Sequence, residues 1–164
     1  MEDPRPEAEP FRLLFVCTGN TCRSPMAEAI ARDRAEALGW SGFEVRSAGI
    51  SAAPGSPPSE GAVRAAGRRG LDLSGHSATL LGQEEVDWAD LILVMAPSHL
   101  MWLIDIGAAD NAALLTSFAG GGEGNTDSVP DPIGGPDEEY EATYRTLEEL
   151  IGRVMERLES VRTR

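Results

Sequence analysis

The chain has only two cysteines in 164 residues, Cys17 and Cys22, and it has no long uninterrupted apolar run. Scarce cysteine excludes a disulfide scaffold, since a bridge between two such close neighbours would close a tiny loop and add little stability. A chain of this length does not need one, because a single domain of this size can bury a sizeable core unaided. Without an apolar run of about eighteen residues, no membrane-spanning helix is expected. Residues 1–10 are acidic and proline-rich where a secretion signal would have a basic start and an apolar block. We therefore expect a soluble protein of a reducing compartment, with a disordered tail over 1–10 and one domain over 11–162. Basic residues are also in short supply, 14 against 27 acidic, for a formal net charge of -13. Such a field repels nucleic acid and anionic membrane, so neither is an expected partner. A bound phosphate would have to be held by backbone dipoles and a few placed cations. A basic protein surface would suit the field better than an acidic one.

What is present alternates between strand and helix signals. Residues 11–16 form a short apolar run followed by a glycine-containing loop and then Pro25, a residue suited to a first helical turn. Helical spacing of Met26, Ile30, Ala31, Ala35 and Leu38 predicts a helix over 26–38, stopped by Gly39. Residues 43–47 read as a second strand, 52–58 as a Pro/Gly/Ser loop, and 59–69 as a helix. The uniformly apolar 91–95 suits a central parallel strand covered on both faces. A helix over 97–106 and a short strand over 112–115 follow. Between Ser117 and Asp131 lie Gly120, Gly121, Gly122 and Gly124, read as a mobile loop ending in Val-Pro-Asp-Pro. From Pro136 the spacing of Tyr140, Tyr144, Leu147, Ile151, Val154, Leu158 and Val161 predicts a long amphipathic helix. The alternation implies one α/β domain, a parallel sheet wound on both faces.

In such sheets ligands bind at the carboxyl ends of strands, which is where Cys17, Thr18, Gly19, Asn20, Thr21, Cys22, Arg23 and Ser24 fall. A loop wrapping a helix N-terminus aims backbone N–H groups at one point and so makes a phosphate cradle. Gly19 lets the backbone turn inward, and Arg23 offers a planar fork for two phosphate oxygens. A cysteine facing those donors is activated for in-line attack on phosphorus, which makes Cys17 the candidate nucleophile. The plainer reading of Cys17 is a small buried residue at a strand end. Ser24 could donate to the sulfur, and helix capping is compatible with that. The leaving group needs a proton from a carboxylic acid on another segment, and Asp131 between Pro130 and Pro132 fits that task, although Asp-Pro is also an ordinary turn.

The run from Phe15 to Glu28, with Ser47-Ala48-Gly49 and Asp131-Pro132, resembles the low-molecular-weight protein phosphatase family over roughly residues 13–158. The resemblance implies a four-stranded parallel, flavodoxin-like domain with helices on both faces, cytoplasmic and metal-independent, that works without a cofactor through a phosphocysteine on phosphorylated proteins. It further implies that Asn20, Ser47 and His76 hold the loop in shape. Cys22 would be the redox partner that pairs reversibly with Cys17, where simple packing at the helix start is the alternative. His99 has no such counterpart and reads as a helix-surface residue.

Substrate choice turns on the rim. A phosphotyrosine pocket needs flat aromatic walls, but residues 50–54 and 131–135 supply none. The loop with Thr21, followed by Asp-Pro-x-Gly-Gly, is similar to the bacterial protein-arginine phosphatases. Thr21 offers little bulk and a hydroxyl for a planar guanidinium leaving group, although a tolerated β-branched residue would look the same. Ile133 stands where arginine-specific relatives often carry Phe. The alternatives are a protein-tyrosine phosphatase of the same family and a non-catalytic phosphate-binding module, which would be expected to lose Cys17, Arg23 or Asp131. An arsenate reductase would need further cysteines. A zinc module built from Cys17, Cys22, His76 and His99 lacks tight ligand pairs and would set Arg23 against the cation. No nucleotide-binding Gly-x4-Gly-Lys-Ser/Thr run is present.

Overall fold

A computed structural model describes residues 10–120 and 128–162. Four parallel strands, β1 (Phe11–Cys17), β2 (Phe43–Gly49), β3 (Leu91–Val94) and β4 (Ala112–Leu114), lie in the order β2-β1-β3-β4. The chain leaves β1 for one edge and returns on its other side as β3. The strand order therefore reverses at the end of β1, the point where open α/β sheets bind ligands. The register sets Cys17 beside Gly49 of β2, and Val16 between Ala48 and Val94.

Alternation along β1 sends its side chains to opposite faces. Leu13, Phe15 and Cys17 pack with α1 (Arg23–Ala37), α2 (Glu60–Gly67), α5 (Leu115–Ala119) and α6 (Asp137–Arg162). Leu14 and Val16 pack with Ile92, Val94 and Leu103, on the side of α3 (Gln83–Trp88) and α4 (Pro97–Asp105). Within α6, Tyr144, Leu147, Ile151 and Val154 are buried along the predicted stripe, whereas Val161 near the end of the helix is exposed. Burying each aliphatic side chain contributes roughly 1.5–3 kcal/mol.

The helix predicted over 26–38 begins three residues earlier, at Arg23, with Cys22 as its N-cap. The first turn of a helix has amide groups with no intrahelical partner, so the loop runs straight into a set of free donors. Pro25 inside that turn gives up an N–H that would have had no partner. Strand β2 continues two residues past 47 because Ala48 and Gly49 go on pairing with β1. Two short helices escape the apolar pattern. The six-residue α3 starts at a Gly82 N–H bound by the Glu85 carboxylate at 2.9 Å. Helix α5 takes Leu115 from the predicted strand and Ser117 from the predicted glycine-rich loop, and Gly120 closes it. Gly121, Gly122 and Gly124, on which the expected mobile loop rested, and the expected tail through residue 9 lie outside the described residues. No helix among the described residues is long and apolar enough to cross a membrane.

Candidate active site

The loop after β1 closes around the Cys17 sulfur. Asn20 N–H points at Sγ from 3.3 Å, and Ser24 Oγ lies 2.8 Å from it. The direction of the second bond follows from its neighbour: Asn20 Nδ2 donates to Ser24 Oγ at 2.8 Å, so the Ser24 hydrogen is free to go to sulfur. Ser24 has no side-chain capping bond, since the N-cap is Cys22.

Asn20 is the hub. It sits at φ 56°, a left-handed conformation that a side chain adopts only at a cost. Its amide also donates to Ser47 Oγ at 2.9 Å, its Oδ1 accepts from Thr79 N–H at 2.8 Å, and its carbonyl meets His76 Nε2 at 2.8 Å. The chain continues outward, with Ser47 Oγ donating to Glu28 Oε1 at 2.8 Å and Arg32 holding the same carboxylate at 2.7 Å. Asn20, Ser47 and His76 are thus brought together behind the loop. Glu28 and Thr79 complete the network. Glu28 stands inside the motif run, but nothing in that run marks it as a second support.

Gly49 explains the third residue of Ser47-Ala48-Gly49. A Cβ there would lie 2.5 Å from Thr18 O and 2.9 Å from Asn20 N, so the strand end and the loop touch backbone to backbone. Ile50 N–H and Ser51 N–H bind the Cys17 and Thr18 carbonyls across the same contact, at 3.0 and 2.9 Å.

Arg23 is buried and joins the loop to the acid segment. Its Nη1 donates to Val129 O at 3.1 Å, and its Nη2 lies 3.5 Å from Asp131 Oδ2. Val129 is itself tied to the end of β3 through its N–H to Met95 O at 2.8 Å. The other carboxylate oxygen of Asp131 accepts from Ile133 N–H at 3.1 Å. Cys17 through Arg23, Asp131 and Ile133 line a cleft of about 150 Å³, and Ile133 is 61 % exposed at its rim. Thr21 lies on the same wall, its hydroxyl 3.7 Å from Cys22 Sγ.

Cys22, part of the same lining, lies 3.2 Å from Ser59 Oγ and 3.7 Å from Tyr140 O–H. Burial pushes the Tyr140 phenol above its ordinary value, against a lowering bond with Ser59 and with Cys22 adding to the rise. Both cysteines are free thiols. Among the described residues no group of His, Cys, Asp and Glu could hold a metal ion.

His99 corrects the sequence reading. It is buried, 1 % exposed, with Nε2 2.8 Å from Thr18 Oγ1. Every residue from Leu100 to Ile104 is apolar, so apolarity alone does not show which face of α4 turns inward. The structure buries His99 and Leu103, one turn apart, and leaves Met101 and Ile104 about half exposed.

Comparison with known proteins agrees with this geometry. The model of the family described as low molecular weight phosphotyrosine protein phosphatase matches residues 12–163. A protein-arginine-phosphatase of Geobacillus stearothermophilus is 39% identical over 92% of this chain and 98% of its own length. The solved arginine phosphatase structure from that organism superposes with a TM-score of 0.85 at 38% identity, covering 94% of this chain and 96% of that one. A low molecular weight protein tyrosine phosphatase from T. tengcongensis superposes with a TM-score of 0.83 at 41% identity, covering 90% and 99%. With its sheet, its cysteine loop and its length all matched, this chain belongs to the low-molecular-weight protein phosphatase family and is a cysteine-based phosphatase.

Proposed function

We propose that the enzyme hydrolyses phosphoarginine side chains of proteins. The observation that carries this reading is the cleft wall: among the described residues that line it, no aromatic ring is present to stack a phenyl leaving group. The side chains on that wall proposed to select the substrate are Thr21, with a hydroxyl, and Ile133, an aliphatic rim. The Thr21 hydroxyl suits a flat polar guanidine better than a tyrosine ring, and Ile133 offers a ring nothing to stack on. The similarity to relatives named protein-arginine phosphatase supports the same substrate.

In this reading Cys17 Sγ attacks phosphorus in line, an S–P bond forms and the P–N bond breaks. Arg23 and the loop amides hold the phosphoryl oxygens as charge builds on them. Binding of that anion draws Arg23 away from Asp131 and leaves the carboxyl facing negative charge, the setting in which it carries the proton that the leaving nitrogen takes. Asp131 then accepts a proton from the water that attacks phosphorus, and Cys17 departs as thiolate, received by the Ser24 hydroxyl. Asn20, Ser47 and His76 keep the loop in shape. Cys22 pairs with Cys17 under oxidation, a role that fits the reducing cytoplasm in which such a nucleophile survives.

The test compares kcat/KM for phosphoarginine and phosphotyrosine peptides on reduced enzyme, with Cys17→Ser as blank. A preference above about tenfold for phosphoarginine, worth roughly 1.4 kcal/mol, is expected. The opposite preference would make the enzyme a tyrosine phosphatase. Turnover of neither peptide, with Cys17→Ser matching the parent, would leave only a phosphate-binding module.

A further inference from the structure

His99 is a buried ionisable group that the mechanism above does not use. Its two ring nitrogens differ: Nε2 is 2.8 Å from Thr18 Oγ1, whereas Nδ1 is buried without any hydrogen-bond partner. A buried lone pair is less costly to leave unpaired than a buried N–H. The proton of the neutral ring therefore resides on Nε2, which donates to Thr18 Oγ1. Burial, with the Arg23 cation nearby and Asp131 opposing it, holds the ring well below the usual histidine range, at about 4, so it is neutral where the loop works.

Thr18 Oγ1 receives a second donor as well, Arg23 Nη2 at 3.5 Å. A hydroxyl whose oxygen accepts from two sides has only one role left for its hydrogen, which is to donate away from both. Thr18 is exposed and lines the cleft directly after Cys17. We propose that His99 is a positioning residue which, through Thr18 Oγ1, turns the Thr18 hydroxyl hydrogen toward a phosphoryl oxygen of the bound substrate and keeps Arg23 seated beside it.

This inference rests on the Cys17 loop being the catalytic site, and on no choice between arginine and tyrosine. The test therefore uses 4-nitrophenyl phosphate as substrate and inorganic phosphate as competitive inhibitor. Thr18→Val and His99→Leu are each expected to lower kcat/KM and weaken phosphate inhibition by about tenfold, the scale of one hydrogen bond to a charged acceptor. The double variant should be no more than about threefold worse than either single one, because both remove the same bond. His99→Gln, whose amide N–H reaches the same point, should restore most of the activity. Losses that multiply, a His99→Leu enzyme equal to the parent, or a folded His99→Gln as poor as His99→Leu would overturn the proposal. Should His99→Leu not fold, His99→Asn replaces it. Its shorter amide falls short of Thr18 and must show the loss that Gln avoids, and equal activity of the two again overturns the proposal. Cys17→Ser separates the two levels, for if it still turns over, the catalytic reading fails whatever happens at His99.

Discussion

At position 20 the backbone enters the left-handed region, and the side chain that tolerates it is also the one that ties the loop to Ser24, Ser47 and Thr79. Asn is well suited there: it accepts positive φ more readily than most residues and brings two donors and an acceptor, all of them used. The Cys-x5-Arg-Ser spacing made Cys17 and Arg23 visible in sequence as candidates, and the setting between Pro130 and Pro132 did so for Asp131, because each is a residue type that the proposed chemistry requires. The burial of His99 was not visible, because it depends on which face turns inward of a helix whose residues 100–104 are all apolar. It has a thermodynamic consequence. A ring held at about 4 in the folded chain, beside Arg23 and Asp131, binds a proton less readily than the unfolded chain does at its ordinary 6.5. Its contribution is therefore fully present above about pH 6.5 and is lost as pH falls toward 4. Urea unfolding at about pH 7 and pH 4.5 should show the parent losing on the order of 2 kcal/mol more than His99→Gln over that interval. Parallel losses in the two proteins would contradict a buried neutral ring.

Among the elements, β2 and the loop meet without side chains between them. The Ser-Ala-Gly run announced a feature of the family but not its cause, which is a backbone contact that no periodicity encodes. Gly49→Ala would drive a methyl group into Thr18 O, Asn20 N and Gly19 C, none of which can swing aside as a flexible side chain could. We expect it to cost about 1–3 kcal/mol of stability, and more than about a hundredfold in kcat/KM as the loop moves off its productive geometry. Gly67→Ala is the control, since a Cβ at that helical position meets nothing within 4 Å and should stabilise by roughly 0.5–1 kcal/mol. Activity of Gly49→Ala within about twofold of the parent would show that the close approach is not required. The elements β1, α1, β3 and α6 were legible because each buries apolar residues at the spacing of its own structure, and α4 from its first-turn proline and the apolar run 100–104. The short α3 and α5 were not: one is polar and set by a carboxylate at its start, and the other is a single turn after a three-residue strand.

For the molecule as a whole, the excess of acidic residues gives a field that the cleft must oppose locally with Arg23 and its ring of amides. That field should be readable in kinetics. Raising ionic strength from about 0.02 to 0.3 M screens it. The expected result is a falling kcat/KM for phosphopeptides with basic flanks and a rising one for peptides with acidic flanks. The same trend for both would mean that the global charge plays no part in choosing substrates. The winding of the sheet was legible from the strand and helix alternation, and it delivered Cys17 to the point where the strand order reverses. Passage of the phosphoryl group through Cys17 can be caught in acid-quenched Asp131→Asn enzyme turning over 4-nitrophenyl phosphate. The nitro-stabilised phenolate departs without a proton, so the first step is spared while hydrolysis loses its base. A phosphoryl group should accumulate on Cys17, located by peptide mass mapping. Phosphate found on any other residue, or continued turnover by Cys17→Ser, would contradict it.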